Sequence, residues 1–307
     1  MSSRKWTRIK NLIFAFICVY SRPKKMKIIE SIQEMKETSQ ALRAEGKKIV
    51  FVPTMGYLHN GHLTLMREGK NVGDILVTSI FVNPTQFGKG EDLERYPRDF
   101  ERDKRMCEGE SVDILFVPNA REIYPDGYQT YVEVEGITKN LCGASRPGHF
   151  RGVATVVTKL FNIVRPHYAI FGEKDFQQLV TIKRLVKDLN MDIDVIGMPI
   201  VREADGLAMS SRNSYLNQKE REAAGGLYRG LKLAKDLFDK GERCAALILN
   251  EAKRVVEIEP LTEIEYVKLV DIGTMKDVDM VEDEALLAIA VRIGKTRLID
   301  NIVLHKT

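Results

Sequence analysis

Val52-Pro53-Thr54-Met55-Gly56-Tyr57-Leu58-His59-Asn60-Gly61-His62 is the stretch on which the fold reading turns. The run before it, Lys48-Ile49-Val50-Phe51-Val52, is apolar like a buried parallel strand, and Leu63, Leu65 and Met66 begin a helical pattern. The loop therefore sits at the carboxyl end of a strand, the crevice where open α/β sheets bind ligands. Gly56 and Gly61 permit positive φ or close backbone approach, and the helix start after them offers N–H groups and a positive dipole end to phosphate. His59 and His62 add donors that can follow charge developing on a phosphoryl oxygen. H-x-x-H spacing also occurs in zinc sites, but no third Cys, His or acidic ligand lies at metal spacing and the glutamate of H-E-x-x-H is missing. No protein metal ligands are expected.

Further apolar runs at 75–82, 112–117, 168–171 and 193–198 alternate with helical patterns at 31–45, 62–70, 99–109, 151–164 and 175–189. That alternation predicts an α/β fold with a parallel sheet and crossover helices. The 151–164 helix is apolar on most sides, through Val153, Val156, Val157, Leu160, Phe161, Ile163 and Val164, and should be largely buried. Past Pro199 the texture changes to two charge-rich amphipathic helices across 218–258, then strand-like alternation at 262–271, 286–293 and 297–302. The expected division is an N-terminal extension at 1–25, a nucleotide-binding domain at 26–200 and a smaller α+β domain at 201–307.

A chain of 307 residues with 44% apolar and 29% charged residues is an ordinary globular protein with room for about two domains. Its formal charge of +4 is misleading, because residues 1–25 hold seven Lys/Arg and no acidic residue. The rest of the chain carries a net −3, so no nucleic-acid partner is expected. Cys18, Cys107, Cys142 and Cys244 are scattered without a C-x-x-C pair, which suits a reducing cytoplasm. Within the basic segment, the nine apolar residues Leu12 to Tyr20 are too few to span a bilayer as a helix. They resemble a signal peptide with a loose cleavage site at Val19-Tyr20-Ser21, or an extension ahead of a start at Met26. The second reading is preferred, and no stable membrane association is expected.

Four further constellations carry chemistry. Asn83-Pro84-Thr85-Gln86-Phe87-Gly88 puts two amides at a strand end, able to bind hydroxyls and carboxylates without titrating; the same residues also read as a simple turn. Gly172-Glu173-Lys174-Asp175, followed by Gln177-Gln178, puts a lysine at a strand-to-helix junction. Helix capping alone would account for Asp175, but a cation beside a positive helix end is disfavoured unless an anion joins it. Arg146-Pro147-Gly148-His149-Phe150-Arg151-Gly152 gathers three positive or potentially positive side chains that can clamp an anion. Asp205-Gly206-Leu207-Ala208-Met209-Ser210-Ser211-Arg212-Asn213 reads as a lid over a triphosphate or as a solvated linker.

From Met26 onward the chain closely resembles the pantoate–β-alanine ligases, in PTMGYLHNGH, FVNPTQFG, YPRDFERD, RPGHFRGVATVVTKLFNIVRP, FGEKDFQQL and VREADGLAMSSRNSYL. That family is similar to class I aminoacyl-tRNA synthetases in its H-x-G-H nucleotide domain, so the resemblance implies a Rossmann-like, doubly wound parallel sheet. It joins pantoate to β-alanine through pantoyl adenylate, releasing pyrophosphate and then AMP. The resemblance implies that His59 and His62 contact the phosphates, with His62 the proton donor. It implies that Lys174, Ser210, Ser211 and Arg212 bind the triphosphate, while Met55, Gly56, Gly61, Gly172, Asp175, Val201 and Met209 line the nucleotide site. Gln86 and Gln178 would hold pantoate with help from Asn83 and Pro53, and Arg146 and His149 fall at positions near the substrate. Mg²⁺ is expected with ATP, held by phosphate oxygens, since the chain shows no carboxylate cage. The resemblance also implies a cytoplasmic homodimer whose C-terminal domain acts as a lid.

A nucleotidyltransferase would share H-x-G-H but pass AMP to a phosphate acceptor. The amides Asn83 and Gln86, without extra basic residues for such an acceptor, argue against it. A non-catalytic RNA binder would need the positive charge that residues 26–307 lack. Because the resemblance begins at Met26, protein starting there is expected to match the full-length chain in kcat and melting temperature. A large loss in either would show that the extension packs on the body.

Overall fold

The computed structural model describes residues 25–306, so the expectations for the N-terminal extension fall almost wholly outside the described residues. A six-stranded, all-parallel sheet comprises β1 (Lys27–Ile29), β2 (Ile49–Thr54), β3 (Ile75–Ile80), β4 (Ile114–Phe116), β5 (Tyr168–Gly172) and β6 (Asp194–Met198). The strand order is β1-β4-β3-β2-β5-β6. From β2 the chain winds one way through β3 and β4, then returns to add β5 and β6 on the other side. The switch point lies between β2 and β5.

Helices cover both faces. They are α1 (Ile32–Ala44), α2 (Asn60–Val72), α3 (Phe100–Gly109), α4 (His149–Val164) and α5 (Phe176–Asp188). Strand periodicity sorts the core: Ile49 and Phe51 face α1, α4 and α5 in one cluster, whereas Val50 and Val52 face α2 and α3 in another. As its apolar pattern predicts, α4 is buried along most of its length.

β2 and β5 pair only at Val50↔Tyr168 and Phe51↔Ala169, while β2 stays paired with β3 as far as Thr54↔Ile80. Beyond Phe51 the central strands part. Pro53 has no N–H to offer β5, so continued pairing there would lack a donor. The result is a crevice at the switch point.

The second unit holds α6 (Gln218–Asp239), α7 (Ala245–Glu257) and an antiparallel sheet of β7 (Thr262–Val270), β8 (Glu284–Ile293) and β9 (Thr296–His305). Both helices pack on one sheet face. Val270, Leu286 and Ala288 on the other face meet Ile137, Leu141 and Phe176, joining the two units. Among the described residues no helix is long and apolar enough to cross a membrane.

Several boundaries differ from expectation. α2 starts at Asn60 and α4 at His149, each two residues early, because polar cap residues do not continue an apolar period. β1 went unforeseen; three residues are too few to display a period.

Gly152 in α4 lets the turn carrying Gln86 lie against the helix, since an added Cβ would sit 2.3 Å from the Thr85 carbonyl oxygen. Gly152→Ala is expected to cost about 1–3 kcal/mol of stability through overpacking. The check is the urea midpoint, which should fall at an unchanged m-value; a wild-type midpoint would show that the turn yields freely.

Candidate active site

The loop leaving β2 is bent by Gly56 at φ +80° and Tyr57 at φ 48° and is pinned from α3. The Asp103 carboxylate accepts the N–H groups of Tyr57 (2.6 Å) and Leu58 (2.8 Å), and Arg102 donates to the Leu58 carbonyl at 2.7 Å. His59 then caps α2 through its ring: Gly61 N–H donates to His59 Nδ1, and His59 N–H donates to His62 Nδ1, both at 3.2 Å. Gly61 is required because a Cβ would lie 2.9 Å from His59 Cε1.

This reciprocal cap alters the expectation for the helix end. The Gly61, His62 and Leu63 N–H groups are engaged by the ring or carbonyl of His59, so they do not point at a ligand. With both Nδ1 atoms accepting, each neutral ring carries its proton on Nε2. Burial, then the nearby Lys174 charge, lowers the His59 pKa to about 4. Burial, then His59, holds His62 well below its ordinary value. Both rings are neutral at pH 7 and can donate from Nε2.

Both histidines line a cavity of about 230 Å³ at the switch point. Met55, Pro53, Gly61, Gly172, Lys174, Asp175, Val201, Met209, Ser210, Ser211 and Arg212 share its wall, as do Asn83, Gln86, Arg146, His149 and Gln178. Gly56 alone among the expected residues does not; it is a turn residue facing Asp103 and Ile80. Lys174 stands on a 3₁₀ turn, Glu173–Asp175, between β5 and α5. Asp175 makes no capping hydrogen bond to α5, so capping does not explain it.

The Ser210–Arg212 segment is no solvated linker. Ser211 Oγ donates to the Tyr57 carbonyl at 3.0 Å, and Arg212 makes a two-pronged ion pair with Asp92 (2.9 and 2.8 Å). The 146–151 loop likewise offers no trio of free cations. Arg146 is paired with Glu91, Arg151 lies over the Tyr131 ring, and His149 is neutral. Nδ1–H of His149 donates to the Gln86 carbonyl (2.9 Å), while Nε2 accepts from Arg146 (3.0 Å).

Asn83 is both the turn residue and more. Its Oδ1 caps the Pro84–Gln86 turn and accepts from the Tyr124 hydroxyl at 2.8 Å; its Nδ2 donates to Gln86 Oε1 at 3.0 Å and the Gly152 carbonyl at 3.2 Å. The Gln86 carboxamide is thereby oriented with its NH₂ toward Met55 Sδ, 3.3 Å away on the cavity wall. Phe81, Val153, Val156, Val157, Leu160 and Phe171 supply an apolar wall. Asp92, Glu91, Asp103 and Tyr96 were missed as site residues. YPRDFERD contains Tyr96 and Asp103, but their partners lie far along the chain.

The cavity thus combines neutral imidazole donors, a lysine and hydroxyls with an amide-bearing apolar pocket. It suits a polyanion together with a small, partly apolar hydroxy acid.

A family model described as pantoate-beta-alanine ligase matches residues 27–303. The pantothenate synthetase of Syntrophus aciditrophicus (strain SB) is 60% identical over 278 residues, 91% of this chain and 97% of that protein. The structure of pantothenate synthetase from Thermus thermophilus is similar with TM-score 0.87 at 42% identity, covering 92% of this chain and 100% of that one. The pantoate-beta-alanine ligase of Francisella tularensis, complexed with beta-gamma ATP and beta-alanine, has TM-score 0.77 at 35% identity, covering 92% and 99%.

His149, only 9% exposed, makes a pH test available. Burial first and Arg146 second push its pKa down to about 4. Since the unfolded value is near 6.5, the folded state binds fewer protons between those limits, and stability drains away as pH falls from about 6.5 toward 4. Between pH 7 and 4.5, wild type is expected to lose about 2–3 kcal/mol more unfolding free energy than His149→Asn. Equal losses would contradict a neutral, buried His149.

Proposed function

The chain belongs to the pantoate–β-alanine ligase family, and from that premise we propose how the switch-point cavity divides the work. The reaction is the ATP-dependent condensation of (R)-pantoate with β-alanine to give pantothenate, AMP and pyrophosphate through pantoyl adenylate. A carboxylate is a poor acyl donor until its oxygen becomes a good leaving group, and adenylation supplies that. A pantoate carboxylate oxygen bonds to the α-phosphorus as the bond to pyrophosphate breaks. The β-alanine amine then bonds to the acyl carbon, AMP leaves, and the amine loses a proton.

His59 and His62 donate from Nε2 to phosphate oxygens, and Lys174 neutralises charge beside them. Preorganised donors in a buried site stabilise developing charge without rearranging. Met55, Gly61, Gly172, Asp175, Val201, Met209 and Ser210 form the nucleotide wall; Ser211 latches the phosphate loop to Tyr57, and Arg212 is aimed by Asp92. Gln86 and Gln178 hold pantoate's hydroxyls and carboxylate, and its paired methyl groups meet Phe81, Val157 and Leu160. Arg146, His149 and Asn83 act through Gln86, whose backbone carbonyl or carboxamide they hold. The observation carrying this division is the oriented Gln86 amide beside an apolar wall, in the cavity that the imidazole pair also lines.

Among the described residues no cluster of three His, Cys, Asp or Glu could hold a metal, and Asp175 is the sole carboxylate on the cavity wall. That wall fits Mg²⁺ arriving on ATP and held by phosphate oxygens, where it would offset phosphate charge. We extend the proposal to a cytoplasmic homodimer with a boundary near residue 200 and residues 201–307 acting as a lid. What supports the lid reading is that Val201, Met209, Ser210, Ser211 and Arg212 of this segment stand on the cavity wall.

Pyrophosphate exchange into ATP is expected to require pantoate but not β-alanine. His62→Ala should slow that exchange about 10²-fold. Gln86→Ala or Gln178→Ala should lower kcat/KM for pantoate roughly tenfold while barely changing ATP binding measured without pantoate. Equal weakening of ATP and pantoate by the glutamine variants would contradict the division of the cavity.

A further inference from the structure

We infer that Asp300 and Asn301, adjacent on β9, are positioning residues for the phosphate end of the cavity, an inference that rests on the adenylation reading above. Asn301 is buried, and its side-chain amide donates to the carbonyls of Glu173 (3.0 Å) and Lys174 (2.9 Å). Both carbonyls belong to the 3₁₀ turn that carries Lys174. One amide holding two successive carbonyls fixes the peptide planes of the turn, and with them the direction in which Lys174 leaves the backbone.

Asp300 does the same for the second segment. Its fully buried carboxylate takes both terminal nitrogens of Arg202, at 2.6 and 3.0 Å, and the Asn301 N–H at 2.7 Å. Arg202 also donates to the carbonyls of Gly206 (3.0 Å) and Asn301 (3.2 Å) and stacks over Tyr228. Arg202 stands in a narrow hairpin, bridged to Ala208, in which Met209 N–H donates to the Val201 carbonyl. Gly206 turns it at φ +93°, where a Cβ would overlap the Tyr228 ring. The hairpin therefore delivers Val201, Met209 and Ser210 to the cavity wall as one piece.

Neither Asp300 nor Asn301 lines the main cavity; both line the small pocket beside it. Their shared strand sets two phosphate-facing segments, distant in sequence, in a single register. A donor misplaced by a fraction of an ångström loses much of its value at a transition state. An ion pair made by a fully buried carboxylate is also a weak source of net stability. Orientation is the role these groups fill.

The test is pantoate-dependent pyrophosphate–ATP exchange with full-length wild type, Asn301→Ala, Asn301→Ser, Asp300→Asn and Lys174→Ala. Asn301→Ala and Asp300→Asn are each expected to raise KM for ATP and to lower kcat about tenfold, with pantoate binding in the absence of ATP within about twofold of wild type. Asn301→Ser keeps one donor and should fall between, which preserves the test if the alanine variant does not fold. A merely structural role would reduce the active fraction and melting temperature and leave both KM values unchanged; that result, or wild-type kinetics in the Asn301 variants, would overturn the inference. Wild-type exchange by Lys174→Ala would instead overturn the reading beneath it.

Discussion

Two imidazoles holding the N–H groups of His59 and Gly61 at the start of α2 are the constraint from which the rest of the site follows. A helix start leaves donors unpaired, and Ser, Thr, Asp or Asn usually satisfies them. Here His59 and His62 do so through Nδ1, and the consequence is electronic as well as geometric. Each ring is left with Nε2–H as its free end. The helix thus presents its positive end through two rigid, neutral donors. Gly61 admits the folded-back ring, Asp103 holds the loop that precedes it, and the parting of β2 from β5 past Phe51 opens the space beyond.

The guanidinium groups of the cavity wall obey a different rule. Arg146 is matched with Glu91 and Arg212 with Asp92, the two carboxylates coming from one loop. Buried charges left alone would be costly, and each pairing also fixes the direction in which its guanidinium points. With Arg146 committed, the groups beside it that stay open to the cavity are the Gln86 amide and the apolar wall. Asn83 is the joint between fold and chemistry: it caps a turn, touches α4 and orients Gln86 at once.

Much of this was legible in the sequence. Apolar runs bounded by turn residues marked the central strands, and the glycine-flanked histidines, Lys174 and Gln86 each followed a strand, so the parallel order alone brings them to one edge. What stayed hidden depends on long-range partners. The Asn83–Gly152, Ser211–Tyr57 and Asn301–Lys174 hydrogen bonds join residues 69, 154 and 127 positions apart, beyond the reach of local periodicity. The 146–151 loop looked basic because Glu91 lies far from Arg146 along the chain. Gly56 looked like a phosphate glycine because a turn and a phosphate loop demand the same residue.

The tautomer of His59 and His62 is read out by ¹⁵N-resolved NMR of the two rings in the ligand-free protein. The account predicts two neutral imidazoles at pH 7, each with the proton on Nε2 and an unprotonated Nδ1, and with His59 remaining so until the pH nears 4. A proton on either Nδ1, or an imidazolium at pH 7, would mean that the rings do not cap α2 and do not aim Nε2–H at the phosphates.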